Sequence, residues 1–159
     1  MRLTQWSLLV SGLMFVASIW FVLAGPGGKP AGTTPTAPVA TVKQLMNGLV
    51  GPASTTVYKS VSIIISEEGT RENYPKSDDE WNRVAGSAAA LAEAGGLLMA
   101  EGRARDTDRW MSISQSMIDA SLVSLKAAEA RDKEALLASG EALNASCDDC
   151  HRIYDVDIE

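Results

Sequence analysis

Apolar side chains recur at helical spacing through most of the chain beyond residue 40. Val42, Leu45, Met46, Leu49, Ala53, Val57, Val61 and Ile64 keep that period over about six turns and predict a first helix. Pro52 interrupts the series, so a kink is expected between Gly48 and Pro52. Val57 to Ile65 is β-branched enough to suit a strand, but the longer helical period favours a helix throughout. A second helix opens at Ser77-Asp78-Asp79-Glu80, a capping box with acids in the first turn. It continues through Trp81, Val84, Ala88, Leu91 and Leu98 to a stop at Gly102. Gly95 and Gly96 weaken its interior by about 1 kcal/mol each, which suggests close approach of a neighbouring helix or a flat ligand.

A third helix starts near Asp106 or Thr107 and runs through Trp110, Ile113, Met117, Ala120 and Leu125 to about Ala130, before a polar break at Arg131-Asp132. In the fourth, Leu136, Gly140, Leu143, Cys147, Cys150 and Tyr154 step by alternating four and three residues, as a bundle seam does. With one long connection, Glu67 to Lys76, these elements predict an all-α, antiparallel four-helix bundle over 41–159.

The N-terminal pattern is different. Trp6 to Ala24 is uncharged and mostly apolar, with tryptophans near both ends, and reads as an export signal or membrane anchor in 1–24. The run of about 19 residues is long for a signal core, which favours an uncleaved anchor; cleavage after Ala24 is the alternative. Residues 25–40 hold four prolines and four glycines and form a linker, reaching roughly 40–50 Å at about 3.1 Å per residue. The domain is therefore expected on the periplasmic side of a bacterial inner membrane, or free in the periplasm.

Composition narrows the function. Hydrophobic residues make up 46% of the chain and aromatics only 6%, as suits a core of Ala, Leu, Val and Met. All 20 acidic residues follow Ser66, so the domain is acidic and nucleic acid is excluded as a partner. Ordinary solubility explains that charge; steering toward a basic face on a redox partner is the sharper use of it.

The chain's only histidine and its two cysteines fall together as Cys147-Asp148-Asp149-Cys150-His151. C-x-x-C-H is the attachment signature of c-type haem. Thiols three residues apart on a helix project from one face, where each can form a thioether to the same porphyrin, and His151 follows at i+4 as an axial ligand to iron. A closed zinc site needs four ligands where this chain has three Cys and His in all. A thioredoxin-like dithiol belongs in a βαβ context that the pattern lacks, and a disulfide across so short a ring restrains little chain.

The motif on the last helix, continued by Arg152-Ile153-Tyr154, resembles the class II c-type cytochromes, the cytochrome c-prime family and its low-spin relatives. Those proteins carry C-x-x-C-H-x-x-Y on the fourth helix of a bundle. The resemblance implies one covalent haem c on Cys147 and Cys150, with His151 on the iron. Lys43-Gln44-Leu45-Met46 is similar to the ligand-bearing segment of the low-spin members, so the resemblance also implies Met46 as sixth ligand, core packing being the plainer role for a methionine. Met99, Met111 and Met117 are read as core. Lys43 is within reach of a haem propionate, with a solvated surface position the simpler reading, and Arg103, Arg105 and Arg109 read as helix-end charge compensation. Two features depart from the family: the acidic end Asp155-Val156-Asp157-Ile158-Glu159, where basic residues are common, and the N-terminal anchor and linker.

The expected function is one-electron transfer without enzyme activity. Its partners are a redox protein and the membrane, with a homodimer left open. One alternative is a five-coordinate gas-binding or sensing haem protein, with Met46, Leu45 and Leu49 lining the distal side. The other is a non-haem, membrane-anchored interaction module with a redox dithiol at Cys147 and Cys150.

Overall fold

A computed structural model describes residues 38–154; the anchor and most of the linker expected in 1–37, and the acidic end 155–159, lie outside the described residues. The first helix is built in three pieces. Thr41 caps it, its hydroxyl accepting from the Gln44 amide at 3.1 Å while its own amide donates to Gln44 Oε1 at 2.9 Å. After α1 (Val42–Leu45) comes a π-helical turn (Met46–Val50), and then α2 (Gly51–Ser60). The π turn is where the interruption was expected. The ring of Pro52 would collide with the carbonyl four residues earlier in a regular helix, and widening the turn relieves that collision. The Gly51 amide then donates to the Met46 carbonyl. A Cβ at Gly51 would lie 3.0 Å from that oxygen, so the absence of a side chain suits the turn.

The helix does not reach Ile64, as the sequence had suggested. It ends at Ser60, and Val61 turns to extended backbone (φ −132°, ψ 135°). Strand β1 (Ser62–Ser66) follows and pairs antiparallel with β2 (Gly69–Asn73), placing Ser62 opposite Asn73 and Ile64 opposite Arg71. The fold is thus mostly helical with a small two-stranded sheet, and the expected long connection contains β2. Two causes outweigh the helical period. The Ser-Ile-Ile-Ile-Ser run is β-branched at its centre, and the Asn73 side-chain amide donates to the Lys59 carbonyl at 3.1 Å, which satisfies a helix-end acceptor.

Helix α3 (Asp78–Leu98) opens on the expected capping box, with Glu80 Oε2 accepting from the Ser77 amide at 3.1 Å. It stops at Leu98, short of Gly102, which instead makes a turn at φ +84° under the ring of Pro38. Arg103 is buried, and it donates from Nε to the Ala40 carbonyl at 3.0 Å and from Nη1 to the Leu97 carbonyl at 3.2 Å. It therefore joins the incoming chain to the end of α3, a more specific role than charge compensation alone.

Helix α4 (Arg109–Glu129) and helix α5 (Lys133–Tyr154) are joined through Arg131 at φ +55° and through Asp132, whose carboxylate accepts from the Ala135 amide at 2.8 Å. Helix α3 packs on α4, α4 on α5, and α2 on α3. Trp110, at 1% exposure, fills the centre of one end, and its indole N–H donates to the Leu98 carbonyl at 2.8 Å. Along α5 the buried series is Leu136, Ser139, Leu143 and Ser146, so serines share the core face. Ser124 and Ser139 meet hydroxyl to hydroxyl at 2.8 Å, a polar pair whose small size lets α4 and α5 approach.

The two glycines of α3 differ. A Cβ at Gly95 would stand 2.5 Å from Ile118 Cγ1 and 3.1 Å from the Ser114 carbonyl, whereas one at Gly96 meets nothing within 4 Å. Gly95 thus serves a helix contact. Gly95→Ala should destabilise the fold by about 1–3 kcal/mol through overpacking, while Gly96→Ala should stabilise it by up to about 1 kcal/mol. Denaturant unfolding of the two variants checks this, and equal effects would remove the close-approach explanation.

Candidate functional site

The first helix packs on α3, but no comparable packing joins it to α5. A cavity of about 330 Å³ occupies the space between them. Met46, Val50, Gly51, Ser54 and Tyr58 line its first-helix side, and Cys147, Cys150 and His151 its α5 side. Leu98, Ile113 and Met117 extend the lining from α3 and α4. All four residues singled out from the sequence, Cys147, Cys150, His151 and Met46, therefore border one space.

Their surroundings differ. Neither cysteine is in a disulfide and both are half-buried, His151 is exposed, and Met46 is half-buried with its contacts on the core. Burial pushes the Cys147 thiol above its ordinary value, opposed by hydrogen bonds with Ser146 and Tyr58. The Tyr58 hydroxyl is itself raised well above the usual tyrosine value, first by burial and then by the neighbouring sulfur. The Tyr58 ring reaches α5 at Gly140, where a Cβ would stand 3.9 Å from it. Gly140 thus faces the aromatic edge of the first helix.

Of the other methionines, Met117 also lines the cavity while being almost fully buried, and Met111 packs on the core. Lys43 does not line this cavity; it borders a separate hollow with Ala40, Gly102 and Arg105. Among the described residues, no group of three Cys, His, Asp or Glu side chains is placed to hold a metal ion on its own.

The end of the helix that carries the motif is fastened. The Tyr154 hydroxyl donates to Asp106 Oδ2 at 2.5 Å, and its ring meets Trp110 edge-on with centroids 5.0 Å apart. Asp106 Oδ1 accepts in addition from the amides of Asp108 (3.0 Å) and Trp110 (2.9 Å), so one carboxylate links the end of α5 to the start of α4. The bond from Tyr154, followed by that from the Trp110 amide, holds the Asp106 carboxyl below its ordinary value of 3.8, while the same bond pushes Tyr154 up to about 12. A carboxylate with a depressed native pKa contributes stability that is complete above its unfolded value and is lost as the pH falls through the native one. Asp106→Asn should therefore lower the melting temperature at neutral pH, with the gap to the unsubstituted protein closing below about pH 4. A gap that stays constant down to pH 2 would show that the charge of Asp106 is not what holds this corner.

Tyr58, Ser54 and Gly51 were not foreseen as site residues. With Met46 and Val50 they lie on a stripe beside the core stripe of Leu45, Ala53 and Val57, and an aromatic residue four residues after a serine on that stripe was the available signal. Comparison with family models, with curated proteins and with solved structures gave no match to this chain, so the functional reading rests on the chemistry of the site itself.

Proposed function

We propose that this chain is a c-type cytochrome that carries single electrons on the periplasmic side of a membrane, with residues 1–24 as its anchor and 25–40 as its tether. The observation that carries the reading is the shared cavity: a thioether, two thiols and an imidazole from opposite sides of one largely apolar space. That donor set fits a covalently held haem. Cys147 and Cys150 would hold the haem through two thioethers, and His151 and Met46 would supply a nitrogen and a sulfur donor to its iron. A haem held by these residues would supply reversible one-electron chemistry, at a potential that they and its burial would set.

The remaining residues have supporting tasks. Val50, Leu98, Ile113 and Met117 keep water from the interior of the cavity. Tyr154 and Asp106 fix the last turn of α5, which holds His151 in place relative to α4. The acidic surface suits a redox partner with a basic docking face. This reading requires no catalytic group.

The direct test is the absorption spectrum of the exported protein, oxidised and reduced, together with acid–acetone extraction. Pigment that stays with the polypeptide and shows reduced c-type haem bands is the expected result. Colourless protein from cells that mature other c-type cytochromes, or pigment that moves into the solvent, would rule covalent haem out.

A further inference from the structure

The hairpin offers a surface that neither the core nor the cavity uses. In the two-stranded sheet β1 is hydrogen-bonded only to β2, so among the described residues its other edge has no strand partner. That edge strand carries Ile63, Ile64 and Ile65 at 52, 55 and 80% exposure. Edge strands of soluble proteins are commonly blunted by lysine, proline or a bulge. Charged side chains occur in β2, at Arg71 and Glu72, but β1 has none.

The segment Ser62-Ile63-Ile64-Ile65-Ser66 reads the same in both directions. Antiparallel pairing of two copies about a two-fold axis at Ile64 would set Ile64 opposite Ile64, Ile63 opposite Ile65, and Ser62 opposite Ser66. A two-fold interface must be self-complementary, and this sequence meets that condition. Charge agrees with the register: exposed Lys59 lies in the last turn of the helix before β1 and the exposed Glu67-Glu68 turn follows β1, so antiparallel pairing brings a basic end of one copy to the acidic end of the other, once at each end. We propose that β1 is a self-association edge, at which two copies of this chain join their hairpins into one four-stranded antiparallel sheet.

The surface is small. The three isoleucines expose roughly 350 Å² per copy, below the ~800 Å² per partner of a standard interface. The dimer is therefore weak and depends on concentration, and main-chain hydrogen bonds between the edges supply much of its specificity. It does not depend on haem.

Cysteine cross-linking of the purified full chain tests the register. Directly opposed residues have Cβ atoms about 4.5–5.5 Å apart, so Ile64→Cys should give a disulfide-linked dimer under mild oxidation. Ile65→Cys would be offset from its own copy by two residues, beyond the reach of a disulfide, and should cross-link at least about fivefold less. The unsubstituted chain, oxidised in parallel, sets the background from Cys147 and Cys150. Differently tagged Ile63→Cys and Ile65→Cys chains should cross-link when mixed, and adding Ile64→Lys to both should abolish that product by placing like charges face to face. Far-UV circular dichroism confirms that each variant is folded. No product above background at Ile64→Cys, equal products at Ile64→Cys and Ile65→Cys, or a mixed product that survives Ile64→Lys would each overturn the proposal.

Discussion

Exported protein in which Cys147 and Cys150 are both replaced by alanine should be colourless and substantially less stable. The two thiols lie one turn apart on α5 and both border the cavity, as two thioether bonds to one ring require. Removing them leaves His151 and Met46, which can bind iron but not retain a porphyrin through acid–acetone. The stability loss follows from volume. Buried voids cost about 24 cal/mol per Å³ in core-deletion series, and the space between the first helix and α5 is about 330 Å³. Because His151 and Asn144 at its margin are exposed, water relieves part of that cost, leaving several kcal/mol. For a domain of this size that corresponds to a fall in melting temperature of roughly 10 °C or more. Spectra and thermal melts of the double variant, compared with Cys150→Ala alone, separate attachment from filling: one remaining thioether should keep some pigment and part of the stability. A double variant as stable as the parent, or one that is still covalently pigmented, would contradict the proposed role of the cavity.

The parts of the fold that could be read in the sequence are those whose cause is local. Ser77 and Glu80 cap α3 through atoms within one turn of each other, and Asp132 does the same for α5, so these boundaries needed no tertiary information. Pro52 marked its own disturbance because its ring acts on its own helix. The hairpin was misread because local evidence conflicted: Val61 and Ile64 kept the helical period while three consecutive isoleucines favoured a strand. A side chain fourteen residues away, Asn73, satisfies the carbonyl at the end of α2. The serine pair between α4 and α5 was hidden for a related reason. Ser124 and Ser139 are satisfied in the core by carbonyls of their own helices, Ala120 and Leu136, and by each other, and no pattern of apolar residues reports that pairing.

The candidate site divides in the same way. Cys147, Cys150 and His151 could be picked out because covalent haem attachment would demand such a spacing within one helix, and the fold brings all three to the border of one cavity. Met46 was reached only through resemblance, since a methionine on a helix face reads first as core. Tyr58 offered only its spacing four residues after Ser54, because its meaning depends on the first helix standing off from α5 and on Gly140 leaving room for its ring. Standoff between helices is a property of packing. It can be expected of a bundle that encloses a large ligand, but it cannot be located residue by residue from periodicity.

Met46→Ala should change the coordination of the iron without releasing the haem, and this variant distinguishes an electron carrier from a gas binder. Met46 begins the π turn, and its carbonyl receives the Gly51 amide, so its backbone position is fixed by Pro52 and not by its own side chain. Alanine should therefore preserve the turn while removing the sulfur. In the unsubstituted protein the reduced haem should be low-spin and react poorly with carbon monoxide, and the oxidised form should show the sulfur-to-iron charge-transfer band in the near infrared. In the variant that band should vanish, the haem should become high-spin, and carbon monoxide should bind readily. Cys147, Cys150 and His151 are untouched, so the pigment should survive acid–acetone as in the unsubstituted protein; that control separates loss of a ligand from loss of the cofactor. Truncating a half-buried methionine also costs packing, up to the roughly 2–5 kcal/mol seen at fully buried sites, and Met46→Leu, which fills the space without a donor atom, controls for this. If both variants lose the near-infrared band and bind carbon monoxide, the sulfur is the sixth ligand. If the unsubstituted protein is already high-spin and binds carbon monoxide as fast as Met46→Ala, Met46 is a packing residue, and the cavity serves a five-coordinate, gas-binding iron.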